Sequence, residues 1–161
     1  MDATLLQRIA RGLTALAALA VLVLPAVPAV KNMAVVVSSG SKLSDVPLAD
    51  LVKMCKGATK SWPDGKNFTL VLKNPDAPEM HVALQKLFGV TGPELRAALA
   101  KLNEGRQVVR IVDSDDELLR QVEMTPGALG IVDVYSINNS VKVLRIDGKL
   151  PFDLGYAFRG N

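Results

Sequence analysis

Apolar residues along this chain fall into two kinds of pattern. Residues 33–37 (M-A-V-V-V), 68–72 (F-T-L-V-L), 108–112 (V-V-R-I-V) and 128–132 (A-L-G-I-V) are short and nearly all apolar. Runs of that length without polar alternation predict strands buried on both faces. Between them, apolar residues recur at helical spacing. Leu48, Leu51, Val52 and Cys55 share one face, as do Leu95, Leu99 and Leu102, and Leu118, Leu119 and Val122. The spacing predicts helices over 48–56, 80–88, 91–102 and 113–124. Residues 141–146 (V-K-V-L-R-I) alternate and read as one edge or half-exposed strand. Strands alternating with helices predict an α/β fold with a mostly parallel sheet flanked by helices. Residues 108–132 form the clearest unit, a β-α-β crossover with parallel strands.

The punctuation agrees with the pattern. Asp113 or Ser114 caps the helix whose first turn holds Asp115, Asp116 and Glu117, where carboxylates complement the helix dipole. Thr125-Pro126-Gly127 ends it. Trp62-Pro63-Asp64-Gly65 reads as a turn, with Pro63 presetting φ, Asp64 accepting a local bond and Gly65 taking a positive φ. Asp76, with Glu79 three residues later, predicts a capping-box start for the helix over 80–88.

The first 29 residues form a separate segment. Arg8 and Arg11 precede an apolar run over 12–24, and prolines and small residues follow through Ala29. This is the layout of a secretory signal peptide cut after Ala29, leaving a single domain over 30–161. The run is shorter than the roughly 20 residues that span a bilayer. The expected location is periplasmic or secreted, with an uncleaved N-terminal anchor as the alternative.

The formal net charge of +3, with few aromatics and scattered basic residues, gives no platform for nucleic acid. One cysteine, Cys55, and one histidine, His81, leave no disulfide and no metal cluster to expect. Both read as structural, with a Cys-His dyad as the distant alternative. No Gly-rich dinucleotide loop, phosphate-binding P-loop, His-Glu-x-x-His or Gly-x-Ser-x-Gly elbow is present, so neither an enzyme nor a cofactor is expected. Ser38, Ser39 and Ser41 follow the first strand, and Asn74 follows the second. These four are the candidate ligand-binding residues, because open α/β sheets place ligands beyond strand carboxyl ends.

The order of Ala34-Val35-Val36-Val37, Leu43-Ser44, Leu48-Ala49-Asp50-Leu51, Gly57 and Trp62-Pro63-Asp64-Gly65 resembles the phosphate-type substrate-binding proteins of ABC importers. So do Thr125-Pro126-Gly127-Ala128-Leu129-Gly130 and residues 141–148 (V-K-V-L-R-I-D-G). The resemblance covers most of residues 30–161. It implies a periplasmic-binding-protein-like fold of type II, a small oxyanion as ligand and an ABC permease as partner. The length suits one lobe, whereas closure on a ligand needs two.

One stretch departs from the family. Where the family carries a Gly-Ser-Gly-Thr-Arg-like anion loop, this chain has Asn74-Pro75-Asp76-Ala77-Pro78-Glu79, with no arginine or hydroxyl and with two carboxylates. The sequence therefore predicts a solute-binding-like protein with a degenerate anion site. The alternative is a protein–protein interaction or accessory module that keeps the fold, docks another envelope protein or a second copy, and binds no small anion.

Overall fold

A computed structural model describes residues 31–160. The expected signal peptide lies outside the described residues. Within them the order is β1 (Met33–Ser38), β2 (Asp45–Val46), α1 (Leu48–Cys55), β3 (Thr69–Lys73), α2 (His81–Phe88), α3 (Gly92–Leu102), β4 (Val109–Val112), α4 (Asp115–Met124), β5 (Ala128–Asp133), β6 (Val141–Val143) and β7 (Arg145–Ile146). No helix among the described residues is long and apolar enough to cross a membrane.

The main sheet has the order β4-β3-β5-β1-β6. β3 lies parallel to both β4 and β5, while β1 runs antiparallel to β5 and β6. Every strand except β1 therefore points the same way, and the sheet is mostly parallel. Alternate residues of the central strands serve two cores. Val35, Val37, Leu70, Leu72, Leu129 and Ile131 face a large cluster that includes Leu51, Leu84, Leu87, Leu95 and Leu99 of α1, α2 and α3. Ala34, Val36, Val71 and Val132 face a smaller cluster with Leu118, Leu119 and Val122 of α4. Burial on both faces explains the unbroken apolar runs.

β4 departs from that expectation. It is an edge strand, and Ile111 is 59% exposed. The run looks doubly buried only because β-branched residues suit any strand. Part of its open edge is closed by Asn103, the residue that ends α3. The Asn103 Oδ1 accepts from the N–H groups of Val108 (2.9 Å) and Val109 (2.7 Å), and its Nδ2 donates to the Val109 carbonyl (3.0 Å). One amide thus takes the place of a neighbouring strand.

The expected single strand over 141–146 is two. β6 pairs with β1, Leu144 is fully buried and donates to the Val35 carbonyl at 2.8 Å, and β7 then leaves to pair with β2. The C-terminal stretch packs too: Tyr156 and Phe158 are buried edge to face, and Arg159 pairs with Asn32.

The two turns that carry the family resemblance touch each other. The Trp62 indole is buried against Phe68, and its Nε1 donates to the Gly127 carbonyl at 2.8 Å. Gly127 has φ 82°, and a Cβ there would stand 2.2 Å from the Asn67 carbonyl oxygen, so no larger residue fits. Gly130 has a different reason. A Cβ on it would meet Leu118 at 2.7 Å and Val122 at 2.8 Å, so its bare backbone lets α4 lie close on β5. Gly130→Ala is expected to destabilise the fold by about 1–3 kcal/mol through overpacking, read as a lower urea midpoint at unchanged slope. Trp62→Phe, which removes the indole bond and leaves the Gly127 carbonyl only the longer bond from the Thr69 N–H at 3.3 Å, is expected to cost about 1 kcal/mol on the same assay.

Candidate functional site

The carboxyl ends of β3, β4 and β5 lie together with the start of β1, because β1 runs against them. Each of the parallel strands β3 and β5 ends on a charged residue, Lys73 and Asp133, and β4 is followed by Asp113. Lys31 precedes β1 at the same end, and Ser136 follows β5 in a short 3-10 turn (Val134–Ser136). Four separate segments thus meet in one polar cluster.

Lys73 Nζ stands 2.6 Å from Asp115 Oδ1, and Ser136 Oγ donates to Asp115 Oδ2 at 2.5 Å. Lys31 Nζ lies 3.5 Å from Glu79 Oε1 and 4.0 Å from Asp133 Oδ2. Burial raises the Asp115 pKa, but the bonds from Lys73 and Ser136 outweigh it and hold the carboxyl below its ordinary value. Glu79 is also held low, first by a bond from its own backbone N–H and then, against burial, by Lys31 and Lys73. Both lysines are therefore already matched to carboxylates. Tyr135, in the same 3-10 turn as Ser136, is 88% exposed.

The loop after β3 is built unlike an anion cradle. Asn74 sits at φ 41°, a left-handed position that Asn tolerates better than most residues, and its carbonyl accepts from the Ala77 N–H at 3.0 Å. A 3-10 turn, Pro78–Met80, then precedes α2. The expected capping box does not form. The cap position is Ala77, no side chain bonds there, and Pro78 removes a free N–H from the first turn. Asp76 lies one residue too early to cap and pairs instead with Arg96 at 3.0 Å. By contrast Ser114 caps α4 as expected, accepting from the Glu117 N–H at 3.2 Å.

The four sequence-predicted ligand residues are not brought together. Ser38 ends β1, and Ser39 and Ser41 follow it, at the amino ends of β3 and β5. Asn74 lies at the other end, across the length of β3 (Thr69–Lys73), or about 15 Å at strand rise. The serine loop is also tied down locally, by its backbone and by the Ser41 hydroxyl. The Ser39 N–H donates to Ser140, Ser41 Oγ accepts from the Leu43 N–H at 3.2 Å, and the Ser41 carbonyl accepts from Lys142. Ser38 and Ser41 line a cleft of about 190 Å³ with Trp62, Pro126 and Gly127. Cys55 and His81 form no dyad. Cys55 is buried, which pushes its thiol up to about 12, while His81 is exposed at the start of α2.

Sequence reasoning missed Lys31, Lys73, Asp115 and Ser136 as a group. A usable signal was present: a charged residue closes the apolar β3 run, and polar residues follow both other parallel strands.

No protein-family model matches the chain, and no curated protein matches it. Solved structures do. An ABC-type phosphate transport receptor from Vibrio cholerae is 17% identical, with a TM-score of 0.59 over 75% of this chain and 48% of that one. PstS from Borrelia burgdorferi is 16% identical, with a TM-score of 0.60 over 81% of this chain and 55% of that one. A phosphate binding protein from Stenotrophomonas maltophilia is 11% identical, with a TM-score of 0.57 over 75% and 40%. The chain resembles one lobe of these proteins. At such identities the likeness is one of fold, and the chain spans about half the length of the first two.

Because the folded pKa of Asp115 is lowered, its ionised form stabilises the fold above the ordinary carboxylate range, near pH 4. That stability is lost as pH falls through the lowered value. Asp115→Asn is expected to be less stable than the parent near pH 7 and to lose less on going to about pH 3, measured by urea midpoints at the two pH values.

Proposed function

We propose that the chain is an exported solute-binding-like protein related to phosphate importers, with a degenerate anion site. Residues 1–29 act as its signal peptide, residues 30–161 work as one domain, and the protein operates in the periplasm or outside the cell. The fold likeness supports the class. The observation that carries the degenerate site is the state of Lys31 and Lys73, whose charges are matched by Glu79, Asp133 and Asp115. An oxyanion reaching either lysine meets carboxylates at about 4 Å, a repulsion of about 1–4 kcal/mol per pair near a protein surface. The helix that follows β3 offers it no compensating free N–H in its first position.

A second reading shares this end of the sheet. A partner, whether a permease, another envelope protein or a second copy, docks there and supplies what one lobe lacks. The exposed Tyr135 beside a charge-neutralised cluster favours it, since exposed aromatics anchor interfaces.

Isothermal titration with inorganic phosphate is expected to show no binding in the micromolar range, and a variant carrying Glu79→Gln and Asp115→Asn is expected to gain measurable affinity. Micromolar binding by the unaltered chain would overturn the degenerate-site reading. For docking, crosslinking in the native envelope is expected to capture a complex that Tyr135→Arg weakens.

A further inference from the structure

A second concavity lies at the opposite end of the parallel strands. The carboxyl ends of α1 and α3, with the chain leading into β3 and β4, enclose a groove of about 710 Å³. That volume falls within the range of roughly 300–1,000 Å³ typical of small-molecule sites. Its floor is apolar, formed by Met54, Phe68, Phe88, Leu102 and Val108. Its rim is basic: Lys56, Lys60, Lys101 and Arg106 stand against a single carboxylate, Glu104.

What separates this rim from ordinary surface charge is how its cations are placed. None of the four takes part in an ion pair among the described residues, a state they share with seven other lysines and arginines. Lys56 and Lys101 lie at helix carboxyl ends and are accounted for by the helix dipoles. Lys60 and Arg106 lie in loops and are not. Arg106 is moreover fixed, its guanidinium donating to the carbonyls of Phe68 (3.2 Å) and Lys60 (3.3 Å). A held guanidinium over an apolar floor fits a carboxylate that carries an apolar body.

We propose that this groove binds a free anionic amphiphile of the medium-chain carboxylate class, its chain on Phe68, Phe88 and Leu102 and its carboxylate at Arg106, Lys60 and Lys101. The site is independent of the sheet end discussed above, so its failure or success leaves that reading untouched.

Isothermal titration of the purified chain with dodecanoate, below its micellar concentration, tests this. Saturable binding of one dodecanoate per chain is expected. Dodecanol, which has the chain without the charge, and inorganic phosphate, which has the charge without the chain, are each expected to bind at least about tenfold more weakly. Lys60→Glu with Lys101→Glu alters two exposed side chains, so the fold and its melting temperature are expected to persist while dodecanoate affinity falls at least about tenfold. The proposal is overturned by an absence of saturable dodecanoate binding, by equal affinity for dodecanol or phosphate, or by a charge-reversed chain that binds as tightly. Association with phosphatidylglycerol vesicles without binding of free dodecanoate overturns it as well.

Discussion

The direction of β1 is the constraint on which the rest of this structure depends. It lies between β5 and β6 and runs against both, in a sheet whose other strands share one direction. That single reversal brings Lys31, at the start of β1, beside Asp133 at the end of β5. It also carries Ser38 to the amino ends of β3 and β5, away from Asn74. Reversing β1 in place would exchange the two ends and assemble a different site from the same side chains. The hydrophobic cores would be indifferent, since β1 is apolar on both faces. Main-chain register with β5, together with the chain connections at either end, fixes the direction.

The polar cluster at the carboxyl ends satisfies itself internally. Lys73 ends a buried strand, and its ammonium needs a partner near the point where the strand leaves the core. Asp115 supplies it from the first turn of α4, where a carboxylate already complements the helix dipole, and Ser136 holds the second oxygen. Asp115 is held by both, so an incoming anion has to displace a doubly bonded carboxylate to reach the Lys73 ammonium.

Much of the fold was legible in the sequence. Met33 to Val37, Thr69 to Leu72 and Ala128 to Val132 are strands because burial on both faces leaves an unmistakable apolar run, and α4 starts where the sequence offered a cap at Asp113 or Ser114, with Ser114 taking the role. What stayed illegible depends on neighbours rather than on local pattern. Residues 108–112 look doubly buried, yet edge position exposes Ile111, and Asn103 shows its strand-closing role only once α3 is placed beside β4. The break at Leu144 is likewise tertiary, set by a bond to Val35 and by pairing of Arg145 and Ile146 with β2. The candidate site suffered most, because strand direction decides which loops share an end.

The two ends of the sheet differ in a way that net charge conceals. A formal balance of +3 over the whole chain says little about binding. At the carboxyl ends of the parallel strands, cations and carboxylates are interleaved and paired. At the amino ends, four cations and one carboxylate surround an apolar floor without an ion pair. Paired charge resists a ligand, because contacts must be surrendered before new ones form. Unpaired charge over apolar surface favours one, since the ligand's own desolvation is offset on both counts. By that criterion the carboxyl ends of the parallel strands are the less receptive of the two to small anions, and the proposed groove between α1 and α3 is the more receptive.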